Sequence, residues 1–473
     1  MELHTLTLKQ ARDGLRNKDF SSVELVSSCL DQIKKFNPKI NAFITVCHEQ
    51  ALEEAKQADI KQLFMNQPLF GIPMAIKDNF CTKGVRTTAG SKVLEDYVPV
   101  YDATVVKRLK EAGAIIIGKT NLDAWAHGSS GENSDFGPTR NPWCFDYVPG
   151  GSSSGSVASV SSLMIPAATG SDTGGSIRLP ASFCNLVGLK PTYGRVPRTG
   201  VVAMASSLDS IGHLTRTVED SAIILSVTAG QDGFDATSLP ALVPDYTKNL
   251  KKGVRGVKIG LPKEYFSEGL DPTVKEKTMA AIKTLEDLGA KMIDVSLPST
   301  EYAVAAYYLI MSSEVSSNLA RYDGIRYGFG REKFGDEARR RIMLGTYALS
   351  SGYYDQYYAK VQKVRTLIIN DFKKAFEECN CLIAPVSPSL PFKLGEKIDD
   401  PLSMYLSDIL TVTANLAGLP ALSVPAGFVH RERVELPVGL QFLGPQLSEE
   451  LLFQVGFALE QENDYYQQKP ELI

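Results

Sequence analysis

The stretch PGGSSSGSVASVSSLMIPAATGSDTGGSIRLP, residues 149–180, sets two glycine–serine clusters on either side of a small-residue segment. Within it, SVASVSSL (156–163) reads as a helix and MIPAATGSD (164–172) as a strand. Helix and strand alternate outward from there. Upstream, residues 22–36 form a helix with Val23, Val26, Leu30 and Ile33 on one face and a capping box of Ser21 and Glu24. CHEQALEEAKQADIKQL (47–63) is a second, more charged helix, and FGIPMAIKDNF (70–80) carries a short buried strand ending in Lys77. DATVVKRLKEAG (102–113) is a helix with Asp102 as its cap and Gly113 as its stop, followed by the strand AIIIGK (114–119).

Downstream, TVEDSAIILSVTAG (217–230) is a helix with Thr217 and Asp220 in cap positions. GVKIGLP (256–262), AKMIDVSLP (290–298), NCLIAPVSP (380–388), PALSVPAG (420–427) and LPVGLQFLGP (436–445) read as strands. DPTVKEKTMAAIKTLEDLG (271–289), long segments between about 300 and 376, and SEELLFQVGFALEQE (448–462) read as helices. Such alternation predicts an α/β fold, one large domain in which a mixed sheet is wrapped by helices. The expected domain spans 1–473, with N-terminal helices to about 65, a core at about 66–230 and a C-terminal part from about 253. The polar, irregular residues 231–252 are the expected long surface connection.

Bulk composition narrows the class. The 473 residues are 44% hydrophobic and 22% charged, ordinary for a globular chain. A net charge of −4 lacks the basic surplus of a protein that grips nucleic acid by itself. The seven cysteines include no CxxC pair, and Cys379-Asn380-Cys381 suits no common zinc spacing, so reduced thiols and no metal are expected. The N-terminus MELHTLTLKQARDG has no apolar run of signal length and carries Glu2 and Asp13, and no apolar stretch is long enough to span a membrane. The expected compartment is the cytoplasm of a bacterial-type cell, with an organelle left open.

Three readings compete for the first serine cluster. A flexible linker is the poorest, because SVASVSSLMIPAATG is too apolar and periodic for a tether. A phosphate cradle would need a lysine directly after its second glycine, and Gly155 is followed by Ser156. Gly151-Ser152-Ser153-Ser154-Gly155 fits the G-x-S-x-G elbow, which requires a histidine as base. Of the five histidines only His430 comes late, in the charged GFVHRERVE, which resembles an exposed hairpin tip. His213 has no obvious acid partner and His127 precedes the serines. The elbow therefore lacks its base.

A neutral lysine is another activator, if burial lowers its pKa. Taken alone, Lys77 reads better as a strand-end lysine facing solvent or paired with Asp78. The second cluster, GSDTGGSIRLP (170–180), shifts the balance. Gly174 and Gly175 let backbone N–H groups converge on one point, as an oxyanion hole requires, just before Ser176.

One lysine and two glycine-led serines on separate loops resemble the amidase signature family, whose catalytic set is Ser-Ser-Lys. The resemblance covers residues 149–200 in full, together with GIPMAIKDN. Further segments, TNLDAWAHGSSGENSDFGPTRNPW, RRRIMLGTYALSSGYYDQYYAKVQKVRTLI and DPLSMYLSDILTVTANLAGLPALSVP, resemble the tRNA-dependent branch of that family along nearly the whole chain.

The resemblance implies that Ser176 attacks a glutamine side-chain amide and releases ammonia. Ser152, after a cis peptide bond from Gly151, would carry protons between Ser176 and an uncharged Lys77. Backbone amides of Thr173, Gly174, Gly175 and Ser176 would hold the oxyanion. Arg341 and Asp408 would hold the α-carboxylate and α-amino group of glutamine, with Tyr307 and Ser129 as companions. Asp172 and Arg178 would brace the loop, Ser130 would line the pocket or brace its loop, and Ser153 would do no chemistry. Ser154 and Ser156 would serve helix start and packing. Leu179 and His127 stand where the family usually has Gln and Met, which would change pocket polarity. The stretch between GIRYG and RRRIM is shorter than in many relatives.

The implied partners are the B and C subunits of a heterotrimer. Ammonia would pass to the B subunit, which uses ATP and magnesium and makes most of the contact with charged tRNA. Glu-tRNA(Gln) would be amidated there, with Asp-tRNA(Asn) a second candidate. The alternatives are a stand-alone amidase of another small amide and a non-catalytic scaffold.

Overall fold

The computed structural model describes residues 2–61, 66–322, 327–431 and 434–472. Its strands are β1 (Phe43–Val46), β2 (Pro73–Lys77), β3 (Ile115–Thr120), β4 (Ala167–Asp172), β5 (Val187–Lys190), β6 (Ser210–Thr215), β7 (Lys258–Pro262), β8 (Lys291–Val295), β9 (Cys381–Pro385), β10 (Ala421–Arg431) and β11 (Val434–Leu443). All join one sheet in the order β1-β3-β2-β4-β6-β5-β10-β11-β9-β7-β8. The sheet is mixed: β2 runs parallel to β3 and β4, β7 runs parallel to β8 and β9, and the pairs between these two groups are antiparallel.

The helices are α1 (Leu8–Asn17), α2 (Ser22–Ile40), α3 (His48–Ile60), α4 (Thr104–Glu111), α5 (Ser154–Ser161), α6 (Arg178–Phe183) and α7 (Val218–Thr228). After the seventh come α8 (Pro272–Asp287), α9 (Ala303–Leu319), α10 (Asp336–Ala348), α11 (Lys360–Glu378), α12 (Pro401–Leu406), α13 (Val412–Leu416) and α14 (Glu449–Glu460). They cover both faces of the sheet. Along β9, Cys381 and Ile383 enter one hydrophobic core while Leu382 and Ala384 enter the other. A strand buried on both faces needs apolar side chains at every position, which explains the unbroken run in AIIIGK. No described helix is long and apolar enough to cross a membrane.

The capping box of Ser21 and Glu24 is present, and the helix it opens runs on to Ile40 through Pro38. Thr217 caps α7 as expected. Asp102 does not cap α4, whose N-cap is Ala103; its carboxylate takes the Lys83 amide and pairs with the Lys110 ammonium at 2.9 Å. Asp220 takes its expected cap position, its amide donating to Thr217 Oγ1 at 3.2 Å, while its carboxylate accepts the Leu8 and Lys9 amides at the start of α1. The long helices after residue 300 are three segments with a π-helical turn at Asp355–Ala359 before α11. Residues 231–252 are irregular as expected, yet Arg195 pins them through the Ala241 and Leu242 carbonyls and the Tyr246 hydroxyl. Residues 323–326, which overlap the GIRYG segment just before the shortened stretch, and residues 432–433 at the tip of the His430 hairpin lie outside the described residues.

One buried acid ties the last helix to the start of α7. Glu460 accepts the Val218 amide at 2.8 Å, and burial, opposed by that bond, raises its pKa to about 8. The folded chain thus holds a proton that the unfolded chain releases near its ordinary value of 4.5. Stability is fullest below that value and falls as pH rises toward about 8, by roughly 1 kcal/mol per pH unit. Glu460→Gln keeps an acceptor for Val218 and carries no charge. Its Tm is expected to be the flatter of the two across this range in a thermal unfolding series; parallel curves would refute the assignment.

Candidate active site

The two glycine–serine clusters meet at the C-terminal ends of the parallel strands β2 and β4, where open α/β sheets place ligands. Lys77 is the last residue of β2 and is fully buried. Its Nζ lies 2.9 Å from Ser152 Oγ, 3.0 Å from Ser153 Oγ and 2.9 Å from Ser171 Oγ. Asp78 is not its partner: that carboxylate pairs with Lys119 at 3.0 Å, both side chains being buried. Burial lowers the Lys77 pKa to about 7 against the opposing pull of Asp123, Asp172 and Asp209. A large fraction of this amine is therefore neutral at neutral pH and free to accept a proton.

Ser152 sits at the N-terminal approach to α5 after a cis bond from Gly151, as expected. Lys77 Nζ is its only side-chain partner among the described residues. The Ser153 amide donates to the Ser176 carbonyl at 3.2 Å, which joins the two clusters. Ser176 lies between β4 and α6 and is the most exposed member of the set at 9%; its hydroxyl holds no hydrogen bond among the described residues. Ser154 Oγ reaches Thr139 and Ser156 Oγ reaches Thr120, the packing roles expected of them.

The loop that carries Ser176 is built around Asp172. Its carboxylate takes the Gly175 amide at 2.9 Å, the Ile177 amide at 3.2 Å and both ends of the Arg178 fork at 3.1 Å. Arg178 also donates to Gln441, Asn415 and the Thr411 carbonyl. Burial would raise the Asp172 pKa, but Arg178 outweighs it and the group is lowered to about 2. The bracing role of this pair is thus visible. The Gly175 amide, expected at the oxyanion, is instead spent on Asp172. That leaves the amides of Thr173, Gly174 and Ser176, which donate to no acceptor among the described residues. Gly175 has φ +142, and a Cβ there would overlap Thr411; a Cβ on Gly174 would overlap the Tyr307 hydroxyl, so Tyr307 lies directly against the loop.

Beyond Tyr307 the site becomes charged. Asp408 accepts from Ser129 Oγ at 2.7 Å and from the Tyr308 hydroxyl at 3.2 Å. Burial raises its pKa to about 7, opposed by the Ser129 hydroxyl and by Arg341. The Ser129 carbonyl also holds the Gly151 amide at 2.8 Å, linking this acid to the backbone before Ser152. Ser130 braces its own loop by accepting the Glu132 amide. Arg341 is buried, pairs with Glu337 at 2.7 Å, and stands over the rings of Tyr308 and Tyr405, which stack 3.9 Å apart. Burial would lower its pKa, but Glu337 outweighs this and keeps it charged.

His127 is buried with both ring nitrogens unpartnered among the described residues, and burial plus the charge of Arg341 holds its pKa well below the usual value. Leu179 packs with Val148, Phe183, Val386 and Phe392 in an apolar cluster, where its side chain adds to packing. Among the described residues no histidine bonds the serines of the two clusters: His213 is buried in β6 and reaches Ser221 at 2.7 Å, and His430 is exposed on the β10–β11 hairpin. Among the described residues no group of three or more His, Cys, Asp or Glu side chains is arranged to hold a metal ion.

Glu337, Tyr308, Tyr405, Ser171, Asn79 and Asp123 belong to this network and were not singled out from the sequence. Glu337 alone left a trace, four residues before Arg341 on one helix face. Chemically, the arrangement offers a buried amine, a large fraction of it neutral, in contact with Ser152, a further serine beside amides that have no acceptor among the described residues, and an arginine and a carboxylic acid nearby.

Known proteins match this chain along its length. The family model described as "Amidase" matches residues 24–453. The glutamyl-tRNA(Gln) amidotransferase A subunit of Geobacter metallireducens is 53% identical over 485 residues, covering 99% of each chain. The crystal structure of the glutamyl-tRNA(Gln) amidotransferase A subunit from Thermotoga maritima superposes with a TM-score of 0.84 at 42% identity, covering 100% of this chain and 99% of that one. A bacterial aryl acylamidase of the amidase signature family superposes at 0.87 with 27% identity, covering 99% of this chain and 98% of that one. With its glycine–serine loops, its buried lysine and these matches over nearly every residue, the chain belongs to the amidase family.

Proposed function

We propose that this chain is the glutamine-hydrolysing component of a cytoplasmic, tRNA-dependent amidotransferase. The observation that carries the reading is the Lys77 amine, buried with no carboxylate partner among the described residues and 2.9 Å from Ser152 beside the free amides of the Ser176 loop. Lys77 acts as the base and Ser152 relays the proton, so that Ser176 Oγ attacks the glutamine amide carbon. The amides of Thr173, Gly174 and Ser176 stabilise the oxyanion. The proton returns through Ser152 to the leaving nitrogen, ammonia departs, and water hydrolyses the glutamyl ester by the same route.

Specificity for a free amino acid follows from the charged end of the site. Arg341 meets the α-carboxylate and Asp408 the α-amino group, with Tyr307 and Ser129 shaping the space between. The names of the relatives support the destination of the ammonia, which is Glu-tRNA(Gln) held by a partner, the B subunit. That partner uses ATP and magnesium, and the complex is completed by a small C subunit.

The test is Ser176→Ala in the complex co-expressed with the B and C subunits. Glutamine-dependent amidation of Glu-tRNA(Gln) is expected to fall by at least about 10^3-fold. Amidation with added ammonium is expected to persist, because its chemistry lies in the partner. Loss of both in a folded complex contradicts the division of labour. Glutamine turnover by the parent chain with no gain on adding the partners points instead to a stand-alone amidase.

A further inference from the structure

The Lys77 amine faces three hydroxyls, and that number sets a problem. A neutral amine has one lone pair and two N–H groups. Proton transfer from Ser152 requires the lone pair to point at Ser152 and nowhere else. Were another hydroxyl to donate to it, Ser152 would become an acceptor and the relay would stop.

The surroundings resolve the choice. Ser153 Oγ donates to the Ser171 carbonyl at 3.3 Å, so its hydrogen is engaged and a lone pair is left for Lys77 at 3.0 Å. Ser171 Oγ accepts from Asn79 Nδ2 at 3.2 Å and from Lys77 Nζ at 2.9 Å, which fills both its lone pairs with incoming N–H groups. The Ser152 hydroxyl has no partner other than Lys77 among the described residues. The backbone is fixed as well, for the Lys77 amide donates to Thr169 Oγ1 at 2.9 Å.

We propose that Ser153 and Ser171, the latter held by Asn79, are positioning residues that take the two N–H groups of neutral Lys77 and thereby aim its lone pair at Ser152. This rests on the glutaminase reading above. In the step they govern, the Ser152 O–H proton passes to Lys77 Nζ while Ser152 Oγ takes the proton of Ser176. Ser176 Oγ forms its bond to the amide carbon, and the carbonyl electron pair moves to the oxyanion. Ser153 and Ser171 exchange no proton; they accept the same two N–H groups before and after. Ser153 thus joins the base rather than standing idle.

The experiment measures glutaminase activity of the co-expressed complex across pH for Ser153→Ala and Ser171→Ala, with Lys77→Ala as control. Each serine variant is expected to lower kcat at least tenfold with KM for glutamine within twofold of the parent. Each also removes an acceptor that stabilises the ammonium form. The acid limb of kcat/KM, set by Lys77 facing Asp123, Asp172 and Asp209, is therefore expected to move to lower pH. A limb that stays in place while kcat falls, or a kcat within twofold of the parent in either variant, overturns the proposal. The control separates the two readings: activity retained in Lys77→Ala sinks the glutaminase mechanism itself, whereas activity lost there and kept in the serine variants sinks only the positioning role.

Discussion

Lys77→Met is expected to lower glutamine hydrolysis by between about 10^2 and 10^4 fold while the chain remains folded. The side chain is fully enclosed, and among the described residues its only polar contacts are the Ser152, Ser153 and Ser171 hydroxyls and the Ser171 carbonyl. None of these groups is assigned to the α-carboxylate or α-amino group of the substrate, so KM for glutamine is expected to hold. Methionine fills much of the same volume without a charge to desolvate. Its Tm is thus expected to equal or exceed that of the parent near neutral pH. In the parent, the acid limb of kcat/KM is expected near pH 7, with activity rising as the amine loses its proton. A variant that keeps more than a tenth of parental turnover, or a parent profile flat from pH 6 to 8, would remove Lys77 from the role of base.

How much of this was readable beforehand depended on whether the signal was local. The strand before Lys77 and the helices with strong caps were legible because period and capping are encoded within a few residues. β5 and β6 were not, although both are fully buried at the centre of the sheet. VGLK and SIGHLT contain glycine, lysine and histidine, and only their neighbours turn them into strands. Asp102 and Asp220 show the same limit from another side. Each carboxylate stands near a helix start in sequence, yet each serves a partner that folding brings to it. In the site, the lysine and the two serines were legible through the glycines beside them. Asn79, Ser171 and Asp123 were not, because a serine in a strand or an aspartate in a loop carries no local mark of facing a buried amine. The Gly175 amide was assigned to the oxyanion on the pattern of glycines alone. The Asp172 carboxylate that claims it is three residues away and declares itself only in three dimensions.

Arg178→Met is expected to destabilise the fold by about 3–5 kcal/mol, the second large effect. Both members of the Asp172–Arg178 pair are completely buried. Removing the guanidinium leaves an ionised carboxylate in the interior with only amide donors around it. Three further acceptors, on Gln441, Asn415 and Thr411, lose their donor at the same time. Asp172→Asn strands the cation in turn, and the double variant is expected to lose less than the two singles summed, by about 2 kcal/mol or more. Because Asp172 has its pKa lowered to about 2, the stability it contributes is complete above its ordinary value of 3.8 and disappears as pH falls toward 2. Urea midpoints measured between pH 7 and pH 3 decide the matter. The parent is expected to lose stability steeply below about pH 4, and the double variant less so. Strict additivity of the single losses would mean that the pair does not act as a unit. The Ser176 loop would then owe its shape to its glycines and to Thr411, not to this ion pair.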